Sequence, residues 1–112
     1  MHKIKKELVA ASSESIILSL LTNGSSYGYE IIQKVKSLSD GQINWTDGML
    51  YPVLHRLEHK GYIKSFWKQH EKRKRKYYEL NEEGKKALSE YQQQWSIVDS
   101  MLKNLWRNKC LT

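Results

Sequence analysis

Thr46-Asp47-Gly48-Met49-Leu50-Tyr51-Pro52-Val53-Leu54-His55-Arg56-Leu57-Glu58-His59-Lys60, followed at once by Gly61 and the run Tyr62-Ile63-Lys64-Ser65-Phe66-Trp67, is the stretch that decides the fold. Leu50, Val53, Leu54 and Leu57 fall at i, i+3, i+4 and i+7, so a helix from about Thr46 to Lys60 carries them on one buried face. Thr46 or Asn44 is placed to cap its start and Gly61 to end it. Pro52 lies inside the segment and removes one backbone hydrogen bond, which predicts irregular first turns in a helix that otherwise continues. Beyond Gly61 the pattern changes. Tyr62 to Trp67 and Tyr77-Tyr78-Glu79-Leu80 are rich in β-formers, and Lys68 to Lys76 between them is nearly all polar and basic. This predicts a hairpin with a charged tip.

Working outward, two shorter helices precede this unit. In Leu8 to Leu21, Ile16, Ile17, Leu20 and Leu21 form a helical stripe that stops at Asn23-Gly24. From about Tyr27 to Leu38, Ile31, Val35 and Leu38 lie at i, i+4 and i+7, with Ser25 or Ser26 as the expected N-cap and Asp40-Gly41 as the closing turn. On the far side, Asn81-Glu82-Glu83 opens a long helix expected to reach about Lys109. Leu88, Tyr91, Trp95, Val98, Leu102 and Leu105 are spaced 3, 4, 3, 4, 3 along it, a heptad seam. Three short helices cannot cover such a seam, so a second copy of the chain is the expected partner.

The fold class is therefore mainly α with a small β-hairpin: helix, helix, helix, hairpin, the winged helix-turn-helix order, plus a long C-terminal dimerisation helix. Residues 1–80 are expected to form the winged DNA-binding domain, its first helix also packing at the dimer interface, and residues 81–109 the dimerisation helix.

Charge supports a polyanionic partner. The chain of 112 residues carries a net charge of +7. Between Lys64 and Lys76 stand seven basic residues against the single acid Glu71, so nearly all of the excess sits in the hairpin. The major groove of duplex DNA admits one α-helix, apolar behind and polar in front. Opposite the leucine stripe of the third helix lie Thr46, Asp47, Gly48, Tyr51, Pro52, His55 and Arg56. Arg56 is suited to guanine or phosphate, and Tyr51 to phosphate or a thymine methyl. Lys72-Arg73-Lys74-Arg75-Lys76 follows as a basic wing suited to backbone or minor-groove contact.

Three segments in order resemble the PadR family of transcriptional regulators: Tyr27-Gly28-Tyr29-Glu30-Ile31-Ile32; Leu50 to Glu58 with Gly61-Tyr62-Ile63; and Arg75-Lys76-Tyr77-Tyr78-Glu79-Leu80 with Gly84. The likeness spans about residues 15 to 105. It departs at Asn81, where the family usually has Thr, one capping residue for another. The resemblance implies a dimeric winged helix repressor binding double-stranded DNA, places Tyr27 with the DNA-facing residues and shows that Pro52 is tolerated. The ending Trp95-Ser96-Ile97-Val98-Asp99 with Asn104-Leu105 resembles a short, multidrug-binding branch of that family. There the paired tryptophans of the dimer sandwich planar aromatic compounds. The likeness implies that Trp95 is a stacking plate and Asp99 a selector for cations, with Ser15, Leu88, Gln92 and Leu102 completing the wall. Ser15 and Gln92 stand where that branch has apolar residues, which implies a more polar pore.

Other classes fit less well. His55, Glu58 and His59 spell H-x-x-E-H, the inverted zincin pattern, but no third ligand is evident and the chain is short for such a protease, so neither a metal, a cofactor nor an enzymatic role is expected. A dimerisation or protein-interaction module without specific DNA binding is the alternative, and the five consecutive basic residues of the wing argue against it. Cys110 stands alone, so no internal disulfide forms. The first residues lack an apolar h-region and no run is long enough to span a membrane. The expected location is the cytoplasm.

Overall fold

A computed structural model describes residues 4–107. The elements run α1 (Lys6–Leu21), β1 (Ser26–Tyr27), α2 (Gly28–Leu38), α3 (Asp47–His59), β2 (Ile63–His70), β3 (Arg73–Leu80) and α4 (Glu82–Arg107). Four helices surround a three-stranded antiparallel sheet of order β1-β3-β2. This is the expected mainly α fold with a wing, plus one strand that the sequence did not announce. Two residues are too few for a periodic signal, and β1 exists because Ser26 and Tyr27 pair with Tyr78 and Tyr77.

The extra strand moves the start of α2. Ser26 is extended in the sheet, so it does not cap α2; Tyr27 occupies the N-cap position, and the Ser26 hydroxyl donates instead to the Glu30 carboxylate. Likewise Thr46 stands at the N-cap of α3 but makes no side-chain cap bond. The Asn81 cap does form: its Oδ1 accepts from the Gly84 N–H at 3.0 Å. Pro52 sits inside a continuous α3, where the fixed ring removes a single hydrogen bond and breaks nothing.

The core is closed by Ile17, Leu18 and Leu21 of α1, Ile31 and Val35 of α2, Leu50, Leu54 and Leu57 of α3, and Ile63 and Tyr78 of the sheet. Trp45, in the loop before α3, is buried with them. Helix α1 packs on α2, α3, α4 and β3 and is the hub of the chain. The first turns of α4 belong to this same core through Gly84, Ala87 and Leu88. Gly84 has no room for a side chain, because a Cβ there would collide with the Tyr62 carbonyl oxygen and the Leu80 side chain. From Gln92 to Arg107, by contrast, every residue of α4 except Leu102 is exposed. The molecule is drawn out to 60 × 33 × 21 Å. Residues 108–112, including the expected helix end near Lys109 and Cys110, lie outside the described part.

Candidate nucleic-acid interface

Strands β2 and β3 pair residue for residue from Ile63↔Leu80 to His70↔Arg73, leaving only Glu71 and Lys72 in the turn. The wing is therefore longer and its tip smaller than expected. Of the basic run, only Lys72 is in the turn; Arg73, Lys74, Arg75 and Lys76 are strand residues, and their side chains alternate between the two faces. The charge is spread along a β-ribbon because the β-propensity of Phe66-Trp67 and Tyr77-Tyr78 propagates pairing through the basic residues up to the turn. Glu71 takes φ 56°, the left-handed value that reverses the chain.

One face of the ribbon is an aromatic cluster. Tyr27 packs edge-on to Tyr77 at 5.2 Å, Phe66 stacks on Tyr77 at 5.9 Å, and Tyr27 lies 5.5 Å from His70. The Tyr77 hydroxyl is 3.2 Å from His70 Nδ1. Two cations lie over these rings, Arg75 4.6 Å from the Tyr27 centroid and Lys68 5.1 Å from that of Tyr77. These contacts hold Arg75 in place, and its Nε is buried without a partner. On the opposite face Ser65 donates to Glu58 at 2.6 Å, tying the wing to α3. Further out on that face Trp67 is paired with Lys76 and is 66% exposed.

The wing, the start of α2 and the start of α3 enclose a cleft of about 450 Å³, lined by Tyr27, Gly28, Tyr29, Asp47, Tyr51, Arg73, Arg75 and Lys76. Here the expected Tyr27, Asp47, Tyr51, Arg73, Arg75 and Lys76 converge from three elements. Tyr29, 62% exposed, joins them, a residue of the Tyr27–Ile32 motif that the helical pattern does not mark as DNA-facing. Tyr51 is positioned by Gly28, where an added Cβ would meet its hydroxyl, and its ring lies 6.4 Å from His55. Thr46, Gly48, Pro52 and His55 are exposed on the same helix, and Lys72 and Lys74 on the wing.

Arg56 is placed elsewhere. It is five residues after Tyr51, about 140° further round the helix, and its Nε donates to Glu14 of α1 at 3.1 Å. Lys60 Nζ donates to both oxygens of the same carboxylate at 3.0 and 3.2 Å, and the Tyr91 hydroxyl of α4 donates to it at 2.7 Å. Burial pushes the Glu14 pKa up, but the bonds from Tyr91, Lys60 and Arg56 outweigh it and hold the carboxyl below 4.5. Burial, followed by the bond to Glu14, pushes Tyr91 up to about 12. Tyr78, buried beside Tyr51 and Glu58, also rises to about 12.

On the other side of α1 a second, open depression of about 480 Å³ is lined by Ser15, Ser19, Leu88, Tyr91, Gln92, Trp95, Ser96 and Asp99. Of the six residues expected at a ligand pore, it gathers all but Leu102. Asp99 is not free there, because Lys103 lies 3.0 Å from its carboxylate. Ser15 Oγ is buried without a hydrogen-bond partner. Of the seam residues, Leu88 is buried in the chain's own core and Tyr91 is half-buried on Glu14, so the surface open to a second copy begins at Trp95 and runs through Val98, Leu102 and Leu105. Among the described residues no group of three or more His, Cys, Asp or Glu is arranged to hold a metal, and no helix is long and apolar enough to cross a membrane.

Residues 17–90 match the profile of the transcriptional regulator PadR-like family. A protein of Lysinibacillus sphaericus, uncharacterized protein X, is 31% identical over 100 residues, covering 88% of this chain and 92% of that one. Transcriptional regulator YqjI of Escherichia coli is 28% identical over 88 residues; the match covers 79% of this chain but only 41% of that longer protein. The crystal structure of a PadR-like transcriptional regulator from Bacillus cereus superposes with a TM-score of 0.82 at 27% identity, covering 92% of this chain and 99% of that one.

Proposed function

The chain belongs to the PadR-like family of transcriptional regulators, which are DNA-binding proteins, and from that premise we propose that it is a homodimeric repressor reading a pseudo-palindromic operator. Residues 1–80 do the reading in this proposal, and the helix from residue 81 onward joins the two copies. The observation that carries the reading is the single cleft in which Tyr27 and Tyr29, Asp47 and Tyr51, and Arg73, Arg75 and Lys76 face one another. The exposed front of α3, from Thr46 through Gly48, Tyr51, Pro52 and His55, enters a major groove, and the ribbon from Lys72 to Lys76 follows the neighbouring backbone and minor groove. Arg56 supports this arrangement from behind through Glu14.

The bare seam of Trp95, Val98, Leu102 and Leu105 supports the homodimer, since a second copy is the partner that carries a matching stripe. With two copies joined there, the two Trp95 depressions become walls of one interfacial site for planar aromatic, cationic compounds, whose binding releases DNA. The proposed setting is the cytoplasm, and no catalytic step is involved.

Selection of random duplexes on the purified protein at about 150 mM salt tests this. The expected result is an enriched two-fold-symmetric site with half-sites about one helical turn apart. Recovery of unenriched sequence would overturn the operator-reading repressor in favour of a non-specific DNA binder or an interaction module.

A further inference from the structure

We infer that Glu14 is a positioning residue for DNA recognition: one carboxylate fixes the angle of α3 against α4, and so sets the operator half-site spacing the dimer accepts. The inference rests on the proposed dimeric DNA reading and deepens it.

Helix α1 packs on both α3 and α4, and Glu14 is the side chain through which it binds both at once. On one side its oxygens accept from Arg56 in the last turn of α3 and from Lys60, the C-cap that follows it. On the other side Oε1 accepts from the Tyr91 hydroxyl of α4 at 2.7 Å. The carboxylate is only 14% exposed, whereas Arg56 and Lys60 are about half exposed. A carboxylate that deep retains its charge because three donors converge on it, and charge-assisted bonds of that kind are directional. Their directions fix where α3 lies relative to the Tyr91 turn of α4.

Position matters here because of what lies at the two ends. Tyr51 and Asp47, one to three turns before Arg56 on α3, face the cleft. Trp95 and the rest of the bare seam begin one turn after Tyr91 on α4. In a dimer joined through that seam, the separation of the two recognition helices is set by the angle between α3 and α4 in each copy. Lengthening the operator by one base pair moves the half-sites apart by roughly 3.4 Å and rotates them by about a tenth of a turn. A partly buried carboxylate with donors on both sides resists that movement. Tyr91 also lines the Trp95 depression, so a molecule seated there touches the same node that orients α3.

The test uses the full chain and three duplexes: the selected operator and the same half-sites set one base pair closer or further apart. Wild type is expected to discriminate against the altered spacings by about tenfold. Tyr91→Phe deletes only the α4 link and leaves the ring in place; it is expected to reduce that preference to about threefold or less, with non-specific affinity and salt slope unchanged. Glu14→Gln is expected to do the same. A merely structural role would weaken all three duplexes alike, and that result, or an undiminished preference, overturns the inference. Amide hydrogen exchange in the free protein reads the node without DNA. Tyr91→Phe is expected to speed exchange over residues 47–59 while leaving the β2–β3 ladder at wild-type rates, and unchanged rates in α3 would sink the proposal. If wild type selects no operator, the DNA reading fails on its own, and the exchange experiment still decides whether Glu14 holds α3 to α4.

Discussion

In the winged domain Ile17, Leu18, Ile31, Leu50, Leu54 and Leu57 are sealed from solvent, whereas along the outer half of α4 Trp95, Val98 and Leu105 are about two-fifths exposed and Ile97, Met101 and Trp106 more than half. The two regions draw on the same residue types at the same helical spacing. They differ in what stands opposite. The first turns of α4 dock on α1 and end in the core as Ala87 and Leu88; past Gln92 its described residues stay out of the core, and the polar Ser15 and Ser19 of α1 share an open depression with Trp95 and Asp99. Burying one large aliphatic or aromatic side chain is worth roughly 1.5–3 kcal/mol. The winged domain collects that gain within one chain, while the outer half of α4 collects it only from another molecule. An interior that closes on itself specifies a fold, and a stripe left open specifies a partner.

The sharpest way to break this comparison is to cut an apolar side chain in each region. Leu54→Ala should lower the stability of the winged domain by about 2–5 kcal/mol, read from denaturant unfolding at any protein concentration. Leu105→Asp should leave that domain folded by circular dichroism and instead convert the proposed dimer to monomer in sedimentation equilibrium. Unfolding of the whole chain by Leu105→Asp would show that the two regions are not separate.

Next in size is the Trp95 depression. A planar cationic dye should quench tryptophan fluorescence saturably, and Trp95→Ala should abolish the saturable part although Trp45, Trp67 and Trp106 remain. Equal quenching in the two proteins would remove Trp95 from the ligand site. The polar Ser15 and Gln92, and the Lys103 partner of Asp99, predict weak rather than tight binding.

The smallest effect sits where the regions meet. Tyr91 and Tyr78 stay protonated to about 12 in the folded chain, against 10.0 for an ordinary phenol. Below pH 10 their contribution to stability is fully present; from there to about 12 the unfolded chain ionises first and stability falls. The melting temperature should therefore drop between about pH 10 and about pH 12, and Tyr91→Phe should make the drop shallower. A drop of the same size in the variant would mean that Tyr91 contributes nothing to it.

Much of this was legible in the chain. The stripe Leu50/Val53/Leu54/Leu57 is buried as its spacing requires, Asn81 caps α4, and the chain reverses in the middle of the basic run. Strand β1 was not legible, because Ser26 and Tyr27 become strand only by pairing with a segment some fifty residues away. The cap expected of Ser26 failed for a related reason, since in the fold its hydroxyl found Glu30 instead, whereas Thr46 does stand at the N-cap of α3, without a side-chain bond. Arg56 falls on the polar side of α3 by periodicity yet bonds to Glu14, because helical periodicity separates polar from apolar residues but does not tell one polar flank from another.

Sequence alone determined the number and order of the helices, the leucine face of α3 and the placement of positive charge on the wing, since each follows from periodicity or composition within one segment. Tertiary structure alone decided that Tyr29 stands beside Tyr51 and Arg75, that β3 carries the basic residues along a ribbon, and that Arg56, Lys60 and Tyr91 share the Glu14 carboxylate. Those pairings join residues up to 77 positions apart. No local pattern encodes them, because the direction in which a polar side chain turns is settled only when another element arrives to receive it.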